Sequence, residues 1–175
     1  MDSTTLFTST MPSPLGRLRI AVDGDGALVR IDFPGHDAER GAEREDAARC
    51  AHVTTQLREY FEGQRTEFDL ALRPRGTPFQ LAAWRALRQI PFAETRSYQQ
   101  QAEKIGNKNA MRAVGAANGR NPIPIVVPCH RVVGKDGSLT GFGGGLPRKR
   151  WLLEHEAKVL ASRAAAPTRR THALR

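Results

Sequence analysis

Three short stretches near the start of the chain, Thr5–Thr10, Leu15–Val22 and Ala27–Phe33, are partly alternating and β-branched. Pro12–Gly16 and Asp23–Gly26 separate them. Alternation puts successive side chains on opposite faces of a strand, and Gly and Asp supply the backbone angles of tight turns. The pattern predicts a small antiparallel sheet. Gly35–Asp46 is polar and acidic and reads as a loop. From Ala47 to Phe61 the period lengthens, with Val53, Leu57, Tyr60 and Phe61 at helical spacing and Gly63 as a stop. Arg65–Leu72 reads as another extended piece and Leu72–Gly76 as a linker.

Beyond the linker the apolar spacing is helical. Thr77 offers an N-cap with Pro78 at the first helical position, Phe79, Ala82, Ala83, Leu87 and Ile90 form one stripe, and Pro91 ends it. Ser97 caps a helix Tyr98–Ile105, Gly106 and Asn107 favour a turn, and Asn109 caps a second helix Ala110–Asn118. Two short helices across a Gly-containing turn form a helix-turn-helix pattern. The small residues of the second helix suit a close approach to DNA, and equally to a neighbouring helix, with Arg112 as its long charged side chain. An ordinary helical hairpin with a surface arginine fits the same pattern. A last helix covers Leu146–Leu160, while Ser162–Arg175 has no apolar period and reads as disordered. The chain thus divides into a sheet domain with one helix and a linker (1–76), a helical domain (77–161) and a basic tail (162–175).

Composition narrows the classes. At 175 residues the chain suits one ordinary domain, or a small subdomain packed on a larger one. Mean hydropathy is −0.48. No stretch approaches the roughly 18 apolar residues of a membrane helix, which excludes an integral membrane protein of that type and a membrane partner. Met1–Thr10 carries Asp2 and no basic run before an apolar one, which argues against a secretory signal. Two cysteines, Cys50 and Cys129, exclude a disulfide framework and are expected as free thiols in a reducing cytoplasm. The net charge of +9 is uneven: −3 over residues 1–78, +7 over 79–156 and +5 over 157–175. A polyanion docking on one region accounts for this, as does a solvated basic surface.

The chemistry gathers in Asn121–Gly134, NPIPIVVPCHRVVG. Ile123–Val127 is apolar with proline on both sides, which predicts a buried, extended segment delivering Cys129 to its end. His130 and Arg131 follow. An imidazole, guanidinium or helix dipole near a sulfur shifts it toward the nucleophilic thiolate. A lone cysteine is otherwise a small buried hydrophobe, and Cys50, with no His or Lys beside it, is read that way.

This string, with SYQQQAEKIG and MRAVGAANGRNP before it and LTGFGGGLPRKRWLLEHE after it, resembles the O6-alkylguanine-DNA alkyltransferase family over about residues 77–157. The resemblance implies an α+β fold. A small N-terminal antiparallel-sheet domain of ribonuclease-H-like type would precede a helical DNA-binding domain with the helix-turn-helix. It implies direct-reversal repair. The alkyl group on O6 of guanine, and also on O4 of thymine, would pass irreversibly to Cys129, one transfer per molecule, after the nucleotide is flipped from double-stranded DNA. No cofactor and no metal are implied. A zinc site would need ligands beyond Cys50 with His36 or His52. The protein is expected as a monomer off DNA, with cooperative assembly on DNA left open.

By the same resemblance, His130 is the water-mediated base, Glu156 the carboxylate orienting it, and Asn121 the brace of the turn before the active-site segment. Tyr98 donates to N3 of the departing guanine. Glu154 is a surface charge. Arg112 is the finger that fills the gap in the stack, with Ala113, Gly115, Ser97, Thr95 and Arg120 also on DNA, in the minor groove. Tyr98, Val132, Ser138, Phe142, Gly143 and Asn118 surround the base. Gln101, Phe142 and Asn118 stand where many or some members carry other residues, which bears on local packing and pocket size. Two rival readings keep the residues but change the function: a DNA-binding regulator without chemistry, and a Cys–His–Glu hydrolase with many turnovers.

Overall fold

A computed structural model of the chain describes residues 5–36 and 41–166. Strands β1 (Leu6–Met11), β2 (Leu18–Val22) and β3 (Leu28–Asp32) form an antiparallel meander, where the alternating segments predict it. The sheet is nevertheless mixed. A fourth strand, β4 (Glu43–Glu45), lies in the segment read as a loop and runs parallel to β1, giving the order β3-β2-β1-β4. It carries no apolar signal because ion pairs hold it. Glu43 binds Arg19 at 2.7 Å and Arg30 at 2.5 Å across the sheet face.

Helix α1 (Ala47–Phe61) begins and ends where its periodicity says, capped by Asp46, whose side chain accepts from the Arg49 N–H. It buries Cys50, Val53, Leu57 and Tyr60. The expected extended piece at Arg65–Leu72 makes only a single bridge, Leu72 to Leu28.

Helix α2 (Pro78–Leu87) starts in a capping box between Thr77 and Gln80, a feature that contributes on the order of 1 kcal/mol. It stops before Pro91. Gln89 and Ile90 donate to the carbonyls three residues back, because the residue preceding a proline is pushed out of helical geometry. A short strand β5 (Arg96–Ser97) leads into α3 (Tyr98–Lys104), again with a capping box, from Ser97 and Gln100. After a turn at Gly106, α4 runs from Met111 to Gly119. Its cap is Ala110, not Asn109: the Asn107 side chain takes the Asn109 N–H at 3.1 Å, and the turn lengthens by one residue. A 3-10 turn (Cys129–Arg131), strand β6 (Val132–Val133, parallel to β5) and α5 (Leu146–Ala165) complete the order. Helix α5 extends through Ser162–Ala165, which the absence of apolar periodicity assigned to the tail. The rest of that tail, residues 167–175, lies outside the described residues, as do residues 37–40 of the expected loop.

One hydrophobic core joins the sheet to the helices. Leu18, Ile20 and Leu28 from the sheet, Leu57 and Tyr60 from α1, Leu87 from α2, Ile123 and Ile125 before the cysteine and Leu152 from α5 are each almost wholly buried in it. No described helix is long and apolar enough to cross a membrane.

Candidate active site

The apolar run Ile123–Val127 is buried, as its composition predicts, but it is not extended. Prolines at 122, 124 and 128 have no N–H to give a sheet ladder, so the run folds into successive tight turns. Val126 donates to Pro124 O and Val127 to Ile123 O, each at 2.9 Å. Ile125 is forced to φ +75°, a left-handed conformation unusual for a β-branched residue. Asn121 ties the turns together. Its Nδ2 donates to Val127 O at 2.8 Å and its Oδ1 accepts the Ile123 N–H at 3.0 Å, the bracing expected of it. The sheet holds the same loop from outside through Ile31 N–H to Pro122 O at 2.9 Å.

The loop delivers Cys129 into the 3-10 turn, where successive side chains diverge by about 120°. His130 therefore points inward, fully buried, and its Nε2 meets Glu156 Oε1 at 2.8 Å. Glu156 is the hub of a buried network. Arg131 reaches both of its oxygens, Nη2 to Oε1 at 2.8 Å and Nε to Oε2 at 3.0 Å, and the Ala93 N–H donates to Oε2 at 3.1 Å. Burial works against the charged carboxylate, but the hydrogen bonds from His130 and Arg131, with the Arg131 charge, outweigh it and hold Glu156 well below the usual carboxylate range. Burial pushes the His130 pKa down despite Glu156, so the imidazole is neutral. A neutral ring that donates from Nε2 keeps a lone pair on Nδ1. That nitrogen is buried and bonded to no protein atom.

Cys129 is 5% exposed and lines a cavity of about 150 Å³ with Asn118, Asn121, Phe142 and Gly143, walled by Phe33 of the sheet-bearing part. Burial raises the thiol's pKa, and the Asn121 amide, the Lys149 charge and a backbone N–H oppose the rise without cancelling it. The resting group is a thiol, and it would have to lose its proton to act as a nucleophile. Lys149 joins these residues only in the folded structure. It is fully buried, its Nζ donating to Val132 O at 2.6 Å and Thr140 O at 2.9 Å; burial pulls its pKa below the ordinary lysine value, and a thiolate at Cys129 opposes that without cancelling it. One signal does point to it: Lys149, Leu152 and Glu156 share one face of α5, so the lysine lies on the stripe that carries Glu156.

The remaining predicted residues divide into two groups. Asn118, Phe142 and Gly143 meet Cys129 in the cavity, whereas Tyr98, Val132 and Ser138 do not line it. The Tyr98 hydroxyl donates to Thr140 O at 2.7 Å, the carbonyl that also accepts from Lys149. Val132 is buried in β6, and Ser138 closes an exposed turn through its carbonyl to Gly134 N–H at 2.8 Å. Glu154 is exposed, as expected. On the helix-turn-helix, Arg112, Ala113, Thr95 and Arg120 are exposed and Gly115 and Ser97 are half-buried. Gln101 and Asn118 pair their amides reciprocally at 2.9 and 2.7 Å in the buried seam between α3 and α4, so the polar residue at 101 is fully matched by its neighbour.

The first part of the chain, residues 6–74, matches the family model described as the ribonuclease-like domain of 6-O-methylguanine DNA methyltransferase. Residues 78–158 match the model of its DNA-binding domain. A methylated-DNA–protein-cysteine methyltransferase of Mycobacterium tuberculosis is 48% identical over 150 residues, covering 84% of this chain and 90% of its own. One from Shigella flexneri is 41% identical over 167 residues, covering 89% and 98%. The crystal structure of Mycobacterium tuberculosis OGT in complex with DNA superposes with a TM-score of 0.84 at 46% identity, covering 87% of this chain and 94% of that one. Matched in order by both domain models and by relatives of this similarity, the chain belongs to the 6-O-methylguanine DNA methyltransferase family.

Proposed function

We propose that this protein repairs DNA by direct reversal, taking the alkyl group from O6 of guanine in duplex DNA onto Cys129. The observation that carries the reading is a thiol opening on a cavity, followed directly in the 3-10 turn by a neutral, carboxylate-anchored imidazole whose second nitrogen has no protein partner. His130 takes the thiol proton by way of a water molecule, and the imidazolium that forms is stabilised by the Glu156 carboxylate, which Arg131 holds in place. The sulfur attacks the alkyl carbon in line, so that the C–S bond forms as the C–O6 bond breaks and its electron pair passes to the guanine. Lys149 stabilises the sulfur as it becomes anionic. A thioether has no easy leaving group, so each molecule acts once.

Tyr98 is the proton donor for the departing base. Its phenol is bonded to Thr140 O and turns from that carbonyl to reach N3. Residues 77–161 serve as the DNA-binding and active-site domain, with Arg112 entering the stack from the exposed face of α4, and residues 1–76 as the supporting sheet domain. A direct-reversal protein of this kind works in the cytoplasm, where the thiol stays reduced.

Mixing the protein with duplex containing O6-methylguanine tests the reading. One methyl on Cys129 by intact and peptide mass, with none in Cys129→Ser, is the expected result. Binding without modification makes the protein a regulator, and repeated turnover makes it a hydrolase. Arg112→Ala is expected to slow transfer from duplex at least about tenfold while leaving transfer from free O6-benzylguanine unchanged, because only the duplex requires flipping. Equal losses on both substrates would remove Arg112 from that role.

A further inference from the structure

The Glu156 carboxylate is also reached from the sheet-bearing part. Tyr60, in α1 and 96 residues away in sequence, donates its hydroxyl to Oε1 at 2.7 Å. That oxygen also receives His130 Nε2 and Arg131 Nη2, each at 2.8 Å. Tyr60, His130 and Glu156 are all fully buried. The tyrosine ring is confined by Phe61, Phe68, Phe92 and His155, with centroids 5.3 to 6.1 Å away, so its hydroxyl has one direction available.

We propose that Tyr60 is a positioning residue of the transfer: its hydroxyl orients the Glu156 carboxylate and sets how much of that oxygen's charge is left for His130. The inference rests on the reading of Cys129 as the alkyl acceptor. An oxygen that accepts from three residues divides its charge among them, and removal of one strengthens the bonds of the other two. Without the phenol, Oε1 binds an imidazolium more tightly, His130 protonates at a higher pH, and the base is lost where it is needed. Burial and the adjacent carboxylate raise the Tyr60 pKa well above that of an ordinary phenol, so it donates as the neutral form. The other groups facing the pair are Arg131 from the 3-10 turn, Lys149 from α5 and the Ala93 N–H from the loop after α2. His155 of α5 faces the Tyr60 ring and bonds its backbone carbonyl at 2.8 Å. Among these, Tyr60 is the contribution of the sheet-bearing part, which thereby enters the chemistry as well as the fold.

Single-turnover benzyl transfer from free O6-benzylguanine, followed against pH on the full chain, tests the proposal without involving DNA. Tyr60→Phe keeps the ring and removes the hydroxyl. It is expected to slow transfer at neutral pH about tenfold and to move the acid limb of the profile upward. Replacing Tyr60 with 3,5-difluorotyrosine keeps the packing and strengthens the donor, which moves the acid limb downward and gives an answer even if Tyr60→Phe does not fold. Limbs that coincide with wild type in every variant that folds overturn the proposal, including the case where only thermal stability falls. Failure of the wild-type protein to acquire the benzyl group defeats the underlying reading instead, so the two failures are distinguishable.

Discussion

Cys50 and Cys129 are both buried free thiols, and burial raises the pKa of each. Their surroundings are otherwise opposite. Cys50 is fully enclosed in α1 against β1, bonds the Phe7 carbonyl at 3.4 Å, and is pushed up to about 11 by burial and by the negative charge of Asp46. Cys129 opens on a cavity, faces an amide donor and a buried ammonium that favour its anion, and precedes a neutral base anchored from behind. Burial alone therefore does not distinguish a structural cysteine from a reactive one. What distinguishes them is whether the protein stabilises the charge that appears during reaction and provides a route for the proton.

The sharpest way to break this contrast is to exchange the sulfurs' fates. Cys129→Ser is expected to abolish covalent transfer, read by mass, whereas Cys50→Ser leaves one alkyl group per molecule. Removal of the base comes next: His130→Ala is expected to slow transfer from O6-benzylguanine by about 10²–10⁴-fold in single turnover. In the wild type, the lowered His130 pKa keeps the ring neutral below its ordinary 6.5, so the acid limb of the rate profile lies under that value. An acid limb above it would contradict the buried neutral imidazole.

Lys149→Met removes the buried charge. It is expected to slow transfer about tenfold and to move iodoacetamide alkylation of Cys129 to higher pH, while Cys50 is unaffected. The smallest effect belongs to Cys50→Ala, a loss of about 1 kcal/mol in denaturant unfolding from a lost buried contact, with the transfer rate unchanged.

Much of this was legible in the residues themselves. The three strands of the meander, the α1 bounds and the caps at Thr77 and Ser97 follow from local preferences that act within a few residues. Cys129, His130, Glu156 and Asn121 were singled out by motif resemblance, and the structure sets Asn121 against Cys129 and His130 against Glu156. Strand β4 leaves no trace in the hydrophobic pattern because ion pairs of Glu43 with Arg19 and Arg30 replace apolar alternation there. The turns of Ile123–Val127 differ from the extended segment its composition predicts, because apolar composition reports burial and says nothing about backbone geometry. The prolines and the Asn121 bonds decide that geometry.

The chain by itself determined where helices start, which segment is buried before the cysteine, and which sulfur has an imidazole beside it, because these depend on side chains close in sequence. Only the tertiary structure decided the protonation states. Glu156 becomes a hub by meeting Tyr60, Ala93 and His130 from distant parts of the chain, and Lys149 faces Cys129 across the fold. Charge states at such a site are set by distance and by exclusion of water, and neither quantity exists until the chain has closed around it.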